Sequence, residues 1–152
     1  MPLSRNRLVK ETEHFLALHW PPNESKPTWS DKPWTGIDSV PHYNLQGCYA
    51  LLRGDRITYI GSAFGRGNTL RRGFGISSRL AGYYVRRDRT VIREDKVPVY
   101  TFRHGYTAAY TIGFSCYSYL AIALEHYLIG RFAADLPDNR IKIFEDASST
   151  PK

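Results

Sequence analysis

The chain has 152 residues, 42% of them hydrophobic and 23% charged, which fits one domain with a sizeable core and excludes wholesale disorder. Its two cysteines, Cys48 and Cys116, exclude a disulfide framework and the four-ligand zinc fingers. The formal net charge is +7, and all of the excess lies between Arg66 and Arg93: eight arginines (66, 71, 72, 79, 86, 87, 89 and 93), no lysine and one acid, Asp88.

The first predicted element is a short helix over residues 5–19, with Leu8, Phe15 and Leu18 near one face and Thr12 and Glu13 opposite. Pro21-Pro22 ends it by Trp20. Glu11 and Glu13 interrupt any signal-peptide stretch, and no run approaches the ~20 apolar residues that cross a bilayer; both point to an intracellular protein. From Trp20 to Pro41, five prolines and three tryptophans make an arm that packs on something, either the domain's own core or DNA. Residues 1–46 are thus expected to form an N-terminal extension packed on a domain over 47–152.

Two strands follow, Cys48 to Leu52 and Ile57 to Ile60, joined by Arg53-Gly54-Asp55-Arg56. A two-residue Gly54-Asp55 loop would point Tyr59 away from Tyr49, whereas an odd loop centred on Gly54 would put both on one face. The odd loop is the expectation. The pair then serves either cross-strand packing or a shared site. A helix over Ser77 to Arg87, with a serine N-cap, would carry Arg79 in its first turn as part of an anion site, and Tyr83 four residues on. A third strand is predicted at Val97 to Arg103, with Pro98 marking an edge or entry position.

The last helix, Tyr117 to Phe132, is apolar almost all round and should be well buried. Glu125 lies among Ile122, Ile129 and Phe132 on that helix. A carboxylate there is either paired with an arginine or a ligand for a hard cation. His126 reads as packing, and His104 is the only histidine kept as an outside candidate. The order β-β-α-β-α gives an α+β domain with a small, mainly antiparallel three-stranded sheet flanked by helices.

Gly47-Cys48-Tyr49, Tyr59-Ile60-Gly61, Arg79 with Tyr83, Glu125 and Asn139 together resemble the GIY-YIG nuclease domain over residues 47 to about 140. Arg79-Leu80-Ala81-Gly82-Tyr83-Tyr84 is similar to a stretch of the bacterial excision-repair incision subunit. The Gly- and Arg-rich segment from Ser62 to Ser78 resembles an insertion in GIY-YIG restriction endonucleases. Cys48 departs from the usual Ile or Val. The resemblance implies a divalent-metal-dependent DNA endonuclease, using Mg²⁺ or Mn²⁺, of a compact restriction-like or repair type. It implies Tyr49, Tyr59, Arg79, Tyr83 and Glu125 as catalytic residues, Tyr49 being the general base and Glu125 the metal ligand, with Asn139 in a supporting role.

The arginine window, with Phe74, Tyr83 and Tyr84 interleaved, is the footprint of a nucleic-acid binder. Arg66, Arg71, Arg72, Arg86 and Arg87 are its expected phosphate contacts. Charge does not separate RNA from DNA. One active site cuts one strand, so double-strand cleavage would need a homodimer, a partner protein or a second visit. The competing reading is a non-catalytic nucleic-acid-binding protein that keeps the fold.

Overall fold

The computed structural model describes residues 2–64, 75–86 and 98–139, beginning with α1 (Arg5–His19). The Ser4 side chain accepts the Arg7 backbone N–H and starts the helix, and extended backbone at Trp20 ends it before the paired prolines. Its buried face is Leu8, Thr12, Phe15 and Leu16, while Leu18 is 78% exposed. Thr12 and Leu18 therefore exchange the sides expected of them. Thr12 turns inward because its hydroxyl donates to Leu8 O and accepts from the Trp29 indole, each at 2.8 Å. A helical 8-12-15-16 stripe is the result.

The Pro/Trp arm lies along the domain. Trp20, Trp29 and Trp34 are all buried. Ser30 N–H donates to Thr111 O, and Trp34 and Ala109 exchange backbone hydrogen bonds at 2.8 and 3.0 Å. The arm thus covers a sheet edge that would otherwise present unpaired backbone groups.

That sheet is antiparallel, with order β2-β1-β5: β1 (Gln46–Arg53), β2 (Arg56–Ala63) and β5 (Ala108–Phe114). Arg53 pairs with Arg56 across a two-residue loop, and Gly54 has φ 66 at the first loop position, as a type II′ turn requires. The odd loop is not formed. Instead the register shifts between Leu51 and Leu52, where β2 carries one extra residue: Leu52 faces Ile57, but Leu51 faces Tyr59. This bulge returns Tyr59 to the Tyr49 face, so the condition is met by another device.

The helix expected over Ser77 to Arg87 is only α2 (Ile76–Leu80), with Gly75, not a serine, at its N-cap. Ala81-Gly82 forms a turn, glycine being about 1 kcal/mol worse than alanine inside a helix. The chain then enters β3 (Tyr84–Arg86), which pairs with β4 (Tyr100–Phe102) in a separate two-stranded ribbon. Arg79 consequently lies in the last turn of α2, not the first. The strand expected at Val97 to Arg103 shrinks to β4 and leaves the main sheet. Val97 lies outside the described residues. The third sheet member is β5, a strand the sequence reading lacked.

α3 (Leu120–Arg131) starts later than expected because Tyr117 takes φ 52, a left-handed conformation that bars helical continuation. It buries Ala121, Leu124 and Leu128, but leaves Ile122, Ala123 and His126 exposed, so it is half-wrapped, not buried all round.

Alternation along β1 divides the core. Cys48, Ala50 and Leu52 join α1, α3, Trp20 and Trp29 on one face. Tyr49 and Leu51 join Tyr59, Ile76, Leu80, Trp34 and Tyr106 on the other. Each large apolar side chain so buried contributes roughly 1.5–3 kcal/mol. Among the described residues, no helix is long and apolar enough to cross a membrane.

Candidate active site

The two glycine-tyrosine motifs have different physical reasons. A Cβ at Gly47 would run into the Ile112 carbonyl oxygen, so that glycine permits β1 and β5 to close. Gly61 sits directly opposite Tyr49 in the β1–β2 register, and its missing side chain leaves room for the Tyr49 ring. A Cβ there would lie 2.5 Å from Tyr49 Cζ and 2.6 Å from its hydroxyl oxygen.

With the bulge setting Tyr59 on the same face, three tyrosines form a triangle. Ring centroids are 6.2 Å apart for Tyr49–Tyr59, 6.1 Å for Tyr49–Tyr83 and 5.9 Å for Tyr59–Tyr83. Tyr83 follows the turn after α2. The helix itself supplies Arg79, exposed, with Nη2 donating to Phe64 O at 3.4 Å. α3 supplies Glu125, half-buried, whose side-chain carboxylate makes no hydrogen bond or ion pair with any other described residue.

These groups meet. Tyr49, Tyr59, Arg79, Tyr83 and Glu125, with Ser62, Phe64 and Ile122, line one cavity of about 380 Å³. Of the further sequence candidates, Asn139 is buried and grips β2: its Oδ1 accepts Ile60 N–H and its Nδ2 donates to Ile60 O, both at 2.9 Å. His104 and His126 are exposed and line no part of the cavity. Arg66, Arg71, Arg72 and Arg87 lie outside the described residues, as does the Arg86 side chain, although the Arg86 backbone is in β3.

No family model, curated protein or solved structure matches this chain. The site must therefore be read from its own chemistry.

Burial, the Tyr83 and Tyr59 hydroxyls and the Glu125 charge all push the Tyr49 phenol far above its ordinary pKa. Among the described residues alone, Tyr49 holds its proton and acts as a donor. Cys48 is no nucleophile. It is buried, donates to Ala121 O at 3.1 Å, and burial raises its thiol well above the usual range.

Glu125 is the residue that fits a cation. It is a lone carboxylate facing a polar cavity with no protein partner among the described residues, and magnesium is commonly held by one or two carboxylates plus phosphate oxygens and waters. No cluster of three or more His, Cys, Asp or Glu side chains suited to a metal occurs among the described residues.

Three residues the sequence does not single out, Thr58, Tyr106 and Arg53, support the site by meeting at Asp138, the neighbour of Asn139. Asp138 Oδ2 accepts from Thr58 Oγ1 and the Tyr106 hydroxyl at 2.8 Å each and from Arg53 Nε at 3.1 Å. Partial burial works to raise the Asp138 carboxyl, but these three donors and the Arg53 charge outweigh it and hold the pKa below the ordinary value. Arg53 also lies over the Tyr106 ring at 4.2 Å. The available signal was Thr58 itself, a polar residue amid an apolar strand.

Proposed function

We propose that this chain is a divalent-metal-dependent DNA endonuclease of the GIY-YIG type, hydrolysing phosphodiester bonds one strand at a time. One observation carries the reading. The five side chains singled out by motif order, drawn from β1, β2, α2, the turn after it and α3, line a single cavity. Binding alone does not require a solitary carboxylate beside an arginine and three phenols.

Glu125 would hold Mg²⁺ or Mn²⁺, which supplies charge neutralisation at the phosphoryl group. Arg79, at the cavity wall, pairs with a non-bridging phosphate oxygen through its planar fork. The hydroxyls of Tyr49, Tyr59 and Tyr83 orient the phosphate and the attacking water by hydrogen bonds. Tyr49 becomes basic only where added positive charge outweighs its burial and its neighbours. Asn139 keeps the strand carrying Tyr59 in place. The arginine window brings the polyanion to the site, so binding should weaken steeply with salt.

The second reading is a nucleic-acid-binding module that has kept the fold without the chemistry. Supercoiled plasmid and branched DNA, each incubated with Mg²⁺, with Mn²⁺ and with chelator, separate the two, and a matched RNA tests the polymer. The nuclease reading expects nicks in either metal and none in chelator. DNA retarded on a gel but uncut under both metals would establish the binding module instead.

A further inference from the structure

The bulge that completes the tyrosine triangle is gripped from outside the cavity. Read from the Gly54-Asp55 turn, a regular ladder would set Tyr59 opposite Ala50 and turn its ring to the face that Ile60 occupies, away from Tyr49. Thr58 is the extra residue that prevents this. It is buried, and its hydroxyl donates to Asp138 Oδ2 at 2.8 Å. The next residue in the chain, Asn139, takes both backbone groups of Ile60. Two consecutive residues therefore hold β2 on either side of Tyr59, at 58 and at 60.

Asp138 is itself anchored. Arg53, at the other end of the hairpin turn, donates to the same oxygen and also to His104 O at 2.6 Å. Tyr106 donates to it as well, and its ring packs edge-on against Tyr83 at 5.7 Å. One carboxylate thus joins the bulge to two corners of the triangle, while neither Asp138 nor Thr58 lines the cavity.

We infer that Asp138, acting through Thr58, is a positioning residue that fixes the β2 bulge and so holds Tyr59 beside Tyr49. The inference rests on the nuclease reading for its consequence, but not for its geometry. A misplacement of about 1 Å can cost about 100-fold in rate, so the bulge should act on turnover more than on DNA binding.

The test uses the full chain with Thr58→Val, which keeps the shape and removes the donor, Thr58→Ser, which keeps the donor, and Asp138→Asn as a second disruption. Two readouts run in parallel: kcat and KM for plasmid nicking, and nuclear Overhauser contacts between the Tyr49 and Tyr59 rings without DNA. Thr58→Val and Asp138→Asn should lose about tenfold or more in kcat with KM within about twofold, and lose the ring contacts; Thr58→Ser should keep both. A folded Thr58→Val or Asp138→Asn protein with wild-type ring contacts overturns the inference, whatever the wild type does to DNA. Should the wild type cut nothing while the ring contacts respond as stated, the nuclease reading falls and the positioning stands.

Discussion

Glu125→Gln is expected to abolish metal-dependent strand cutting, by on the order of 10³-fold, while DNA binding stays within about threefold of wild type. The substitution keeps the side chain's size, replaces one acceptor oxygen by an NH2 donor, and removes the charge. Because Glu125 has no ion-pair partner among the described residues, its neutralisation should break no contact that holds α3 in place. The helix is fixed instead by Ala121, Leu124 and Leu128 in the core. Removing one negative charge from a site that receives a phosphodiester would, if anything, tighten binding of the polyanion. Single-turnover nicking and a gel-shift titration on the same protein preparation check both halves. Retention of nicking at more than about a tenth of the wild-type rate would show that the carboxylate holds no essential cation.

The second large effect is expected at Gly61. In Gly61→Ala the new Cβ would sit 2.5 Å from Tyr49 Cζ, well inside contact distance. The ring has no easy retreat. It is buried, with Tyr59 and Tyr83 as neighbours, and its strand is paired on both sides. Either the ring leaves the triangle or β2 shifts, so we expect a stability loss of about 1–3 kcal/mol and a fall of about 100-fold in single-turnover rate. Gly82→Ala serves as the control, since a Cβ there meets nothing within 4 Å. Thermal denaturation and single-turnover nicking of the two variants check this. A Gly61→Ala protein indistinguishable from the Gly82→Ala one in both would mean that the Tyr49 ring is not seated against β2.

Much of the site could be read from the residues because its parts are local. Gly47-Cys48-Tyr49 and Tyr59-Ile60-Gly61 announce a hairpin with a tyrosine in each strand, and the paired prolines set the C-terminal end of α1. What could not be read depends on contacts remote in sequence. The bulge leaves no mark in propensity, because the extra residue is stabilised by Asp138, far along the chain, and not by its neighbours. The same holds for Thr12, which faces inward only because Trp29 arrives to donate to it.

Propensity misled twice. Ala108, Ala109 and Gly113 disguised β5, a strand whose identity comes from pairing along β1 and from the arm that covers its other edge. Ser77 to Arg87 has helix-compatible residues at its start, yet Tyr84 gains more by packing against Trp34, Tyr100 and Phe102. That aromatic cluster draws the chain into a β-ribbon after one short turn of helix, a case of tertiary packing outweighing local preference.

The most direct test of a single cation site beside the tyrosines is a Mn²⁺ titration followed by paramagnetic broadening of assigned tyrosine ring resonances. The rings of Tyr49, Tyr59 and Tyr83 should broaden at the lowest metal concentrations, ahead of Tyr43 and Tyr119, and Glu125→Gln should remove that selectivity. Broadening that begins elsewhere, or that is the same in wild type and Glu125→Gln, would contradict it.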